Sequence, residues 1–222
     1  MWKIDLKSNQ QLFFTSDSHY NHTNICRGVS KWTGDLTNTT RNYANLKDMN
    51  DMICDQINSM VGEDDILIHL GDWSFGGFDS IREFRERIVC KNIYLILGNH
   101  DHHIEDNKEN IQDLFVDVKP YSRLQVKTQQ KHPMFPVRIT QYVLSHYPIA
   151  SWDKMNKGVI HLFGHVHLPN NKKIMSGKSM DVGVDGNDLC VYNHEQILRL
   201  LKDNPCTTTV IPSDHHSIEL KS

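Results

Sequence analysis

Hydrophobic positions along the chain concentrate in five short runs, and each run is followed at once by polar residues. The runs lie at 12–16, 65–70, 93–97, 142–145 and 159–163. Apolar runs of this length that are bounded by Gly and Asp are typical of buried β-strands. The pattern therefore predicts five core strands, each ending at a cluster of polar side chains.

Between the first three runs, apolar residues recur at the spacing of helices. Asn45 is the predicted N-cap of a helix that runs to Gly62, because apolar residues three and four positions apart follow it. A second helix is predicted to begin at Asp79 or Ser80 and to extend through 88–89. Strands that alternate with helices indicate α/β architecture.

In the second half of the chain, the helical spacing gives way to alternating apolar and polar residues. Residues 123–127 and 137–144 alternate like an antiparallel hairpin with 129–136 as its loop. Residues 180–185 predict one further strand, and 193–202 predict a last helix. We therefore expect an α/β fold with a two-sheet core and helices outside.

The length and composition suit one compact domain. The chain has 222 residues, of which 38% are hydrophobic and 23% charged, and it contains neither an internal repeat nor a long linker. We expect a single domain over 1–205, followed by a polar C-terminal tail over 206–222.

Charge and cysteine content narrow the partners and the compartment. The net charge of −3 offers no general attraction to nucleic acid or to an anionic membrane, so metal ions would have to hold a polyanionic substrate locally. Five Cys without a CxxC pair indicate neither a disulfide framework nor a zinc knuckle, which favours a reducing cytosol. The first residues lack signal-peptide features, and no apolar run reaches the roughly 18 residues needed to span a bilayer. We expect a cytoplasmic protein with no membrane partner.

The polar residues that follow the strands are of the types that bind metal ions. In α/β sheets, ligands bind beyond the carboxyl ends of the strands. The side chains expected at this edge are Asp17, His19, Asp72, Asn99, His100, Asp101, His146, His165 and His167. Residues two apart on an extended segment point to the same side, so the Asp-x-His and His-x-His pairs can each converge on one point. Asp72 follows a glycine, which permits a sharp turn, and its carboxylate can bridge two cations.

The donor types also predict the kind of metal and the chemistry. Mixed Asp, Asn and His ligation without Cys suits Mn, Fe, Zn, Co or Ni better than Mg, which prefers all-oxygen sites. Two such ions about 3.5–4 Å apart can generate a hydroxide and clamp a phosphoryl group for in-line displacement. The residues thus predict a hydrolytic site for two divalent metal ions, with manganese the expected ion.

The order of the motifs, D-x-H, GD, GNHD, H and GHxH, resembles that of the calcineurin-like metallophosphoesterases. Segments 17–22 and 181–186 are similar to those of the small stand-alone bacterial and phage members. The resemblance spans residues 12 to about 200. It implies a four-layer α/β sandwich in which helices flank two central mixed β-sheets.

The resemblance also implies a role for each motif residue. One metal would be held by Asp17, His19, Asp72 and His167, and the other by Asp72, Asn99, His146 and His165. His100 would protonate the leaving oxygen, and Asp101 would orient His100 and support its charged form. The implied reaction is the attack of a metal-bridged hydroxide on a phosphomonoester or a phosphodiester.

Departures from the family pattern narrow the substrate. The family's protein phosphatases carry an Arg shortly after the bridging Asp and a GNHE tetrad, whereas residues 73–77 contain no Arg and the tetrad is GNHD. We expect a small phosphorylated substrate, with a nucleotide as one option. The expected substrate contacts are Asn21, His22, Asn99 and His100. Two other functions stay open: a nuclease acting on single strands or ends, and a catalytically silent metal-binding scaffold.

Several other polar and aromatic residues are expected to have structural roles. Core positions are predicted for His69, His161, Trp73 and Trp152, and turns at strand ends for Asp181 and Asp185. Solvated positions are predicted for Arg41 at the surface and for Lys172 and Lys173 in a loop.

Overall fold

The apolar runs of the sequence form strands within two β-sheets. These sheets belong to a computed structural model that describes residues 1–30, 41–130, 134, 136–169, 174–175 and 177–206. Lys172 and Lys173 lie outside the described residues, and so does the expected tail apart from Cys206. The domain boundary placed at residue 205 therefore stays a prediction.

Strands outnumber helices in the described chain. The strands are β1 (Trp2–Asp5), β2 (Leu12–Thr15), β3 (Ile66–His69), β4 (Asn92–Ile96), β5 (Asp117–Lys119), β6 (Tyr121–Gln129), β7 (Val137–Ser145), β8 (Ile160–Phe163), β9 (Ser179–Asp181) and β10 (Tyr192–Asn193). The α-helices are α1 (Leu46–Met60), α2 (Phe78–Arg87), α3 (His102–Glu105) and α4 (His194–Leu200). Among the described residues, no helix has the length and apolar character needed to cross a membrane.

Each sheet has five strands. The first sheet has the order β1-β6-β7-β8-β9, and the second has the order β10-β2-β3-β4-β5. In the second sheet, β2 to β5 pair in parallel, and β10 pairs antiparallel with β2 at one edge. In the first sheet, β6 and β7 form an antiparallel hairpin, and the other pairs are parallel. Two mixed sheets flanked by helices confirm the predicted α/β sandwich.

Alternation along β2 divides the apolar residues between two cores. Leu12 and Phe14 lie between the sheets, in a cluster that includes Leu124 and Leu162 of the first sheet. Phe13 lies in a second cluster, together with the apolar faces of α1 and α2. Because successive side chains of a strand point to opposite faces, β2 is buried on both sides, which explains its continuous apolar run.

Several local predictions are confirmed. The side-chain oxygen of Asn45 accepts a hydrogen bond from the backbone N–H of Asp48 at 2.9 Å, so Asn45 caps α1. The β6–β7 hairpin forms as predicted. The predicted core residues His69, His161, Trp73 and Trp152 are all buried. All five cysteines are free thiols, as expected.

Other local predictions need correction. Helix α2 begins at Phe78 and ends at Arg87, so the predicted start is one or two residues late and 88–89 lie beyond the helix. The strand predicted over 180–185 ends at Asp181, and Val184–Gly186 forms a 3₁₀ turn instead. The short strands β1, β5 and β10 were not predicted, because two to four residues carry too little periodicity to be recognised without their partners.

Candidate metal centre

The carboxyl ends of strands from both sheets meet at one edge of the sandwich, and this edge gathers the motif residues. Strands β2, β3 and β4 end just before the first three motifs, and β7 and β8 end before the last two. The backbone N–H of His165 donates to the carboxylate of Asp17 at 3.0 Å, and that of Gly164 donates to the His146 carbonyl at 2.9 Å. The first bond ties a motif loop of one sheet to a motif loop of the other, and the second joins two motif loops of the first sheet.

Many of the expected ligands have an unusual backbone conformation. The φ angles of Asp17, His19, Asp72, His165 and His167 are 56°, 47°, 57°, 72° and 47°. This left-handed region is uncommon for residues other than glycine, and such strain concentrates at functional sites. The prediction that the Asp-x-His and His-x-His pairs lie on extended segments is therefore wrong. The members of each pair converge because tight left-handed turns, rather than extended strand, direct them to the edge.

Two motif glycines leave room for carboxylates. A Cβ atom at Gly98 would lie 2.3 Å from Asp72 Oδ1, and one at Gly164 would lie 2.4 Å from Asp17 Oδ2. No side chain fits at these distances. The glycines of GNHD and GHxH therefore allow the third and fifth motif loops to pack directly against Asp72 and Asp17.

Asp17, His19 and His167 form the first ligand group, in which one ligand atom of each residue lies within 4.8 Å of the others. His167 Nε2 lies 3.2 Å from His19 Nε2 and 3.8 Å from Asp17 Oδ1. Asp17 and His19 are buried, whereas His167 is partly exposed. Burial lowers the pKa of His19 to about 3, which keeps this imidazole neutral and able to bind a metal.

Asp72, His146 and His165 form the second ligand group, with the same close spacing of ligand atoms. The Asn99 side-chain oxygen lies between the two imidazoles, 2.9 Å from His146 Nε2 and 2.8 Å from His165 Nδ1. Asp72 Oδ2 lies 3.4 Å from His146 Nε2 and 3.3 Å from His19 Nε2. This single buried oxygen therefore faces both ligand groups.

Buried carboxylates raise the pKa values of two imidazoles and so favour their protonated, positively charged forms. Burial acts to lower the pKa of His146, but the hydrogen bond with Asp72 and the charges of Asp17 and Asp72 together outweigh it, and the pKa is raised to about 8. The same balance, with Asp185 as hydrogen-bond partner, raises the pKa of His167. Burial would raise the pKa of Asp72, yet hydrogen bonds from His146 and His19 hold it below its usual range. The site thus favours cations, and metal binding there would release protons.

Two imidazoles are oriented by acceptors outside the ligand groups. His146 Nδ1 donates to the Leu70 carbonyl at 2.8 Å, and His167 Nδ1 donates to Asp185 Oδ2 at 2.6 Å. Each bond places a proton on Nδ1 and directs Nε2 toward its ligand group, as second hydrogen bonds of metal-binding histidines commonly do.

Arg41 and Asp185 form a buried ion pair behind the first ligand group. The Arg41 Nε and Nη2 atoms each lie 2.9 Å from one oxygen of Asp185. Arg41 also donates to the backbone carbonyls of Asp17 at 2.5 Å and Ser18 at 3.0 Å. The Arg41 guanidinium therefore holds the loop of the first motif and, through Asp185, the imidazole of His167.

This ion pair corrects two expectations. Arg41 is only 4% exposed, so the prediction of a solvated surface position is wrong. The carboxylate of Asp185 binds Arg41 and His167 rather than simply stabilising a turn. Asp181 does stabilise its turn, since it accepts hydrogen bonds from the backbone N–H groups of Gly183 and Leu168. In the sequence, the only indication of a role for Asp185 at the site was the resemblance of segment 181–186 to the family. No pattern around Arg41 predicted its buried position.

His100 lies beside the first ligand group, with its ring centroid 5.2 Å from that of His19. His19, Asp72 and His100 form a third set whose ligand atoms lie close enough to hold a metal ion. The structure therefore gives His100 two possible roles, as a metal ligand or as the substrate-facing imidazole that the sequence predicts.

Asp101 lies beneath this imidazole but has other partners. Its carboxylate accepts hydrogen bonds from the backbone N–H groups of Gly98 and Asp72, both at 2.8 Å, and of Trp73 at 2.9 Å. Burial raises its pKa to about 6. Among the described residues it makes no hydrogen bond to His100, so the expected direct contact is not formed. Asp101 instead holds together the two loops that present Asp72 and His100.

The two residues expected only as substrate contacts differ in position. His22 is buried beside the site, with Nδ1 at 3.2 Å from His19 Nδ1, and its ring stacks on Phe75 at 4.1 Å between centroids. The Asn21 side-chain amide donates to Ser80 Oγ at 2.8 Å. His22 therefore lies next to the ligand groups, whereas the side chain of Asn21 is hydrogen-bonded to α2.

The donor set fits a pair of divalent metal ions. The two ligand groups together offer carboxylate and amide oxygens and imidazole nitrogens. Asp72 Oδ2 lies close to both groups. His19 Nε2 and His167 Nε2 lie 3.2 Å apart, and a cation that displaces their protons could be bound by both nitrogens. Mixed nitrogen and oxygen donors of this kind bind first-row transition metals.

Comparison with known proteins defines the class. A family model described as calcineurin-like phosphoesterase matches residues 11–205, and the chain belongs to this family. The family's chemistry is the metal-dependent hydrolysis of phosphoesters, and the ligand groups described above suit it.

Individual relatives are more distant. An uncharacterized protein of Methanocaldococcus jannaschii is 29% identical over 96 residues, which are 42% of this chain and 48% of that protein. The alignment thus spans about half the length of this curated relative. The crystal structure of a protein of unknown function from Aquifex aeolicus superposes with a TM-score of 0.55 and 19% identity, covering 86% of this chain and all of that one. At this identity the likeness establishes the fold.

Proposed function

We propose that the protein is a dinuclear metal-dependent phosphohydrolase acting on a small phosphomonoester or phosphodiester. The observation that carries this proposal is the position of Asp72 Oδ2, which lies 3.3 Å from His19 Nε2 and 3.4 Å from His146 Nε2. A carboxylate oxygen between two imidazole-containing groups is suited to bridging two ions. One ion alone would leave the other group of buried donors without a cation.

In this proposal each ligand group holds one ion. The first ion is bound by Asp17, His19, Asp72 and His167, and the second by Asp72, Asn99, His146 and His165. Two divalent ions, which we propose to be manganese, would activate water and neutralise the phosphoryl oxygens. Family membership and the mixed donor set support this assignment.

The residues around the ions complete the reaction. His100 protonates the oxygen of the leaving alcohol. Asp101 holds the loop of His100 against the loop of Asp72 through three backbone hydrogen bonds. A free thiol at every cysteine agrees with a reducing compartment, and we propose the cytoplasm.

Metal binding and hydrolysis of model esters test the proposal together. The protein loaded with Mn²⁺ should bind two equivalents per chain by calorimetry and should hydrolyse p-nitrophenyl phosphate or its bis-ester. A single bound equivalent would exclude the dinuclear site, and two equivalents without hydrolysis of either ester would favour a silent metal-binding protein.

The variant His100→Asn separates the two roles that the structure leaves to His100. As a proton donor, His100 contributes about 10²–10⁴-fold to turnover, so the variant should keep two Mn²⁺ and lose activity by that factor. The loss should be smaller for p-nitrophenyl esters than for alkyl esters, because a phenolate leaves with little need of a proton. Loss of one equivalent of Mn²⁺ would instead assign His100 as a ligand with His19 and Asp72.

A further inference from the structure

A cavity of about 320 Å³ has His100 in its lining. It is formed by the loop between β3 and α2 and by the loop that continues into α3. Its lining includes the apolar side chains of Phe75, Ile81 and Ile104, the imidazoles of His100, His102 and His103, and the polar groups of Ser74 and Asp101. None of the seven expected metal ligands lines it, so it is a separate compartment next to the metal centre.

The lining of this cavity suits a flat, uncharged group. Ile81 and Ile104 are buried and provide an apolar floor. The rings of His102 and His103 are in contact, tilted by 42° with centroids 4.2 Å apart, and no Lys or Arg is among the residues that line the cavity. A phosphate would find no cationic side chain here, whereas an aromatic ring would find apolar surface and imidazole edges.

Phe75 connects the cavity with the metal centre. It is 40% exposed, and one face of its ring stacks on His22 with an interplanar angle of 5°. Its ring also meets that of His100 nearly edge to face, with 5.6 Å between centroids. His22 thus holds the phenyl ring in place, and the exposed part of the ring is available to a ligand. Rings fixed in this way serve as stacking platforms for bases.

The position of His100 indicates which part of a substrate would occupy the cavity. In hydrolysis, water forms a new P–O bond while the P–O bond to the alcohol breaks. The alcohol oxygen takes the proton of His100, and the proton released by water restores His100 through solvent. His100 lines the cavity and also has a ligand atom close to those of His19 and Asp72, so an alcohol protonated by it can depart into the cavity. The cavity is thus the place for the leaving group.

We propose that this cavity binds the nucleoside leaving group of a nucleotide substrate, with the base stacked on Phe75. The inference rests on the proposed hydrolysis at the metal centre and adds a substrate class to it. Its volume lies within the usual range of small-molecule sites, and its mostly apolar lining with imidazole edges suits a base and its polar rim.

Matched substrates with and without a base test this proposal. The Mn²⁺ protein should hydrolyse adenosine monophosphate with a higher kcat/KM than ribose phosphate, which lacks the base. Phe75→Ala should lower kcat/KM for adenosine monophosphate roughly tenfold, as the loss of one stacked base does. The same variant should keep two Mn²⁺ and should lower ribose phosphate hydrolysis much less than adenosine monophosphate hydrolysis, and Phe75→Tyr should retain the preference. The matched control is Tyr121→Ala, since Tyr121 is 43% exposed on the first sheet and should affect neither substrate.

A binding measurement keeps this inference separate from the hydrolytic one. Adenosine, which has no phosphate, should shift the histidine NMR signals of the wild-type protein and not those of Phe75→Ala. Equal hydrolysis of the two substrates, together with no adenosine binding, would overturn the cavity assignment and leave the hydrolase standing. Adenosine binding that depends on Phe75 without any hydrolysis would support the cavity and reject the proposed reaction.

Discussion

The two ligand groups have similar donors but differ in what holds them in place. In the first group, the buried ion pair of Arg41 and Asp185 supports His167 and the backbone that carries Asp17. In the second group, His146 is buried, but His165 and Asn99 are exposed at the surface. Preorganised ligands lose less freedom on binding, so similar donor sets can bind with different strength. We expect the ion in the first group to be held more tightly.

The largest effect is expected where the two groups meet. Asp72→Ala removes the shared oxygen, so both ions should bind more weakly. The loss of several kcal/mol of charge stabilisation in the transition state should lower kcat on the order of 10³-fold. Calorimetric titration with Mn²⁺ and hydrolysis of p-nitrophenyl phosphate measure the two effects. If only one ion were weakened, Asp72 would belong to a single group and the proposed bridge would be wrong.

Removing the support behind the first group should weaken one ion selectively. Arg41→Met removes one partner of the buried Asp185 carboxylate and leaves His167 as another, which should lower the free energy of unfolding by about 3–5 kcal/mol. The double variant Arg41→Met/Asp185→Asn replaces the carboxylate by a neutral amide and should recover part of this loss in a urea titration. Both variants should bind one of the two Mn²⁺ ions about 10–100-fold more weakly.

A matched arginine controls for general destabilisation. Arg85 donates to the backbone carbonyls of Leu114 and Ile88, neither of which is an expected ligand, so Arg85→Met should lose stability and keep both ions. If the double variant also retained wild-type affinity for both ions, the ion pair would only stabilise the fold, and the asymmetry between the groups would have another origin.

The smallest effect is expected at the exposed side of the second group. The ring of Tyr147, which is 47% exposed, lies 4.7 Å from the ring of His165 and 5.1 Å from that of His146. An aromatic pair contributes about 0.5–1.5 kcal/mol, so Tyr147→Ala should weaken the second ion about 2–10-fold and leave the first unchanged. A competition assay with a graded chelator measures both affinities. Equal weakening of both ions would argue against separate support for the two groups.

The sequence pattern predicted the elements that have strong local signals. The five apolar runs became strands, because each is buried on at least one face and bounded by turn-forming residues. The cap of α1 at Asn45 and the β6–β7 hairpin follow from local chemistry in the same way. Strand β10 could not be predicted, since two residues acquire strand geometry only by pairing with Phe13 and Phe14.

The candidate ligands followed from residue type and order, but their geometry did not. Asp17 and His19 were identified by spacing, yet their left-handed φ angles depend on packing between the two sheets. Asp101 carries the right residue type for orienting His100, whereas its actual partners are three backbone amides that only the folded loops bring together.

The sequence by itself determined the fold class, the five core strands and the candidate donors that follow them, because these depend on short-range patterns of polarity and spacing. Only the tertiary structure decided which residues support the donors. Arg41 and Asp185 are 144 positions apart and meet behind His167, and the loops that carry Phe75 and His100 meet to form the cavity. Contacts of this kind depend on how two sheets pack face to face, and no local pattern in the chain encodes that packing.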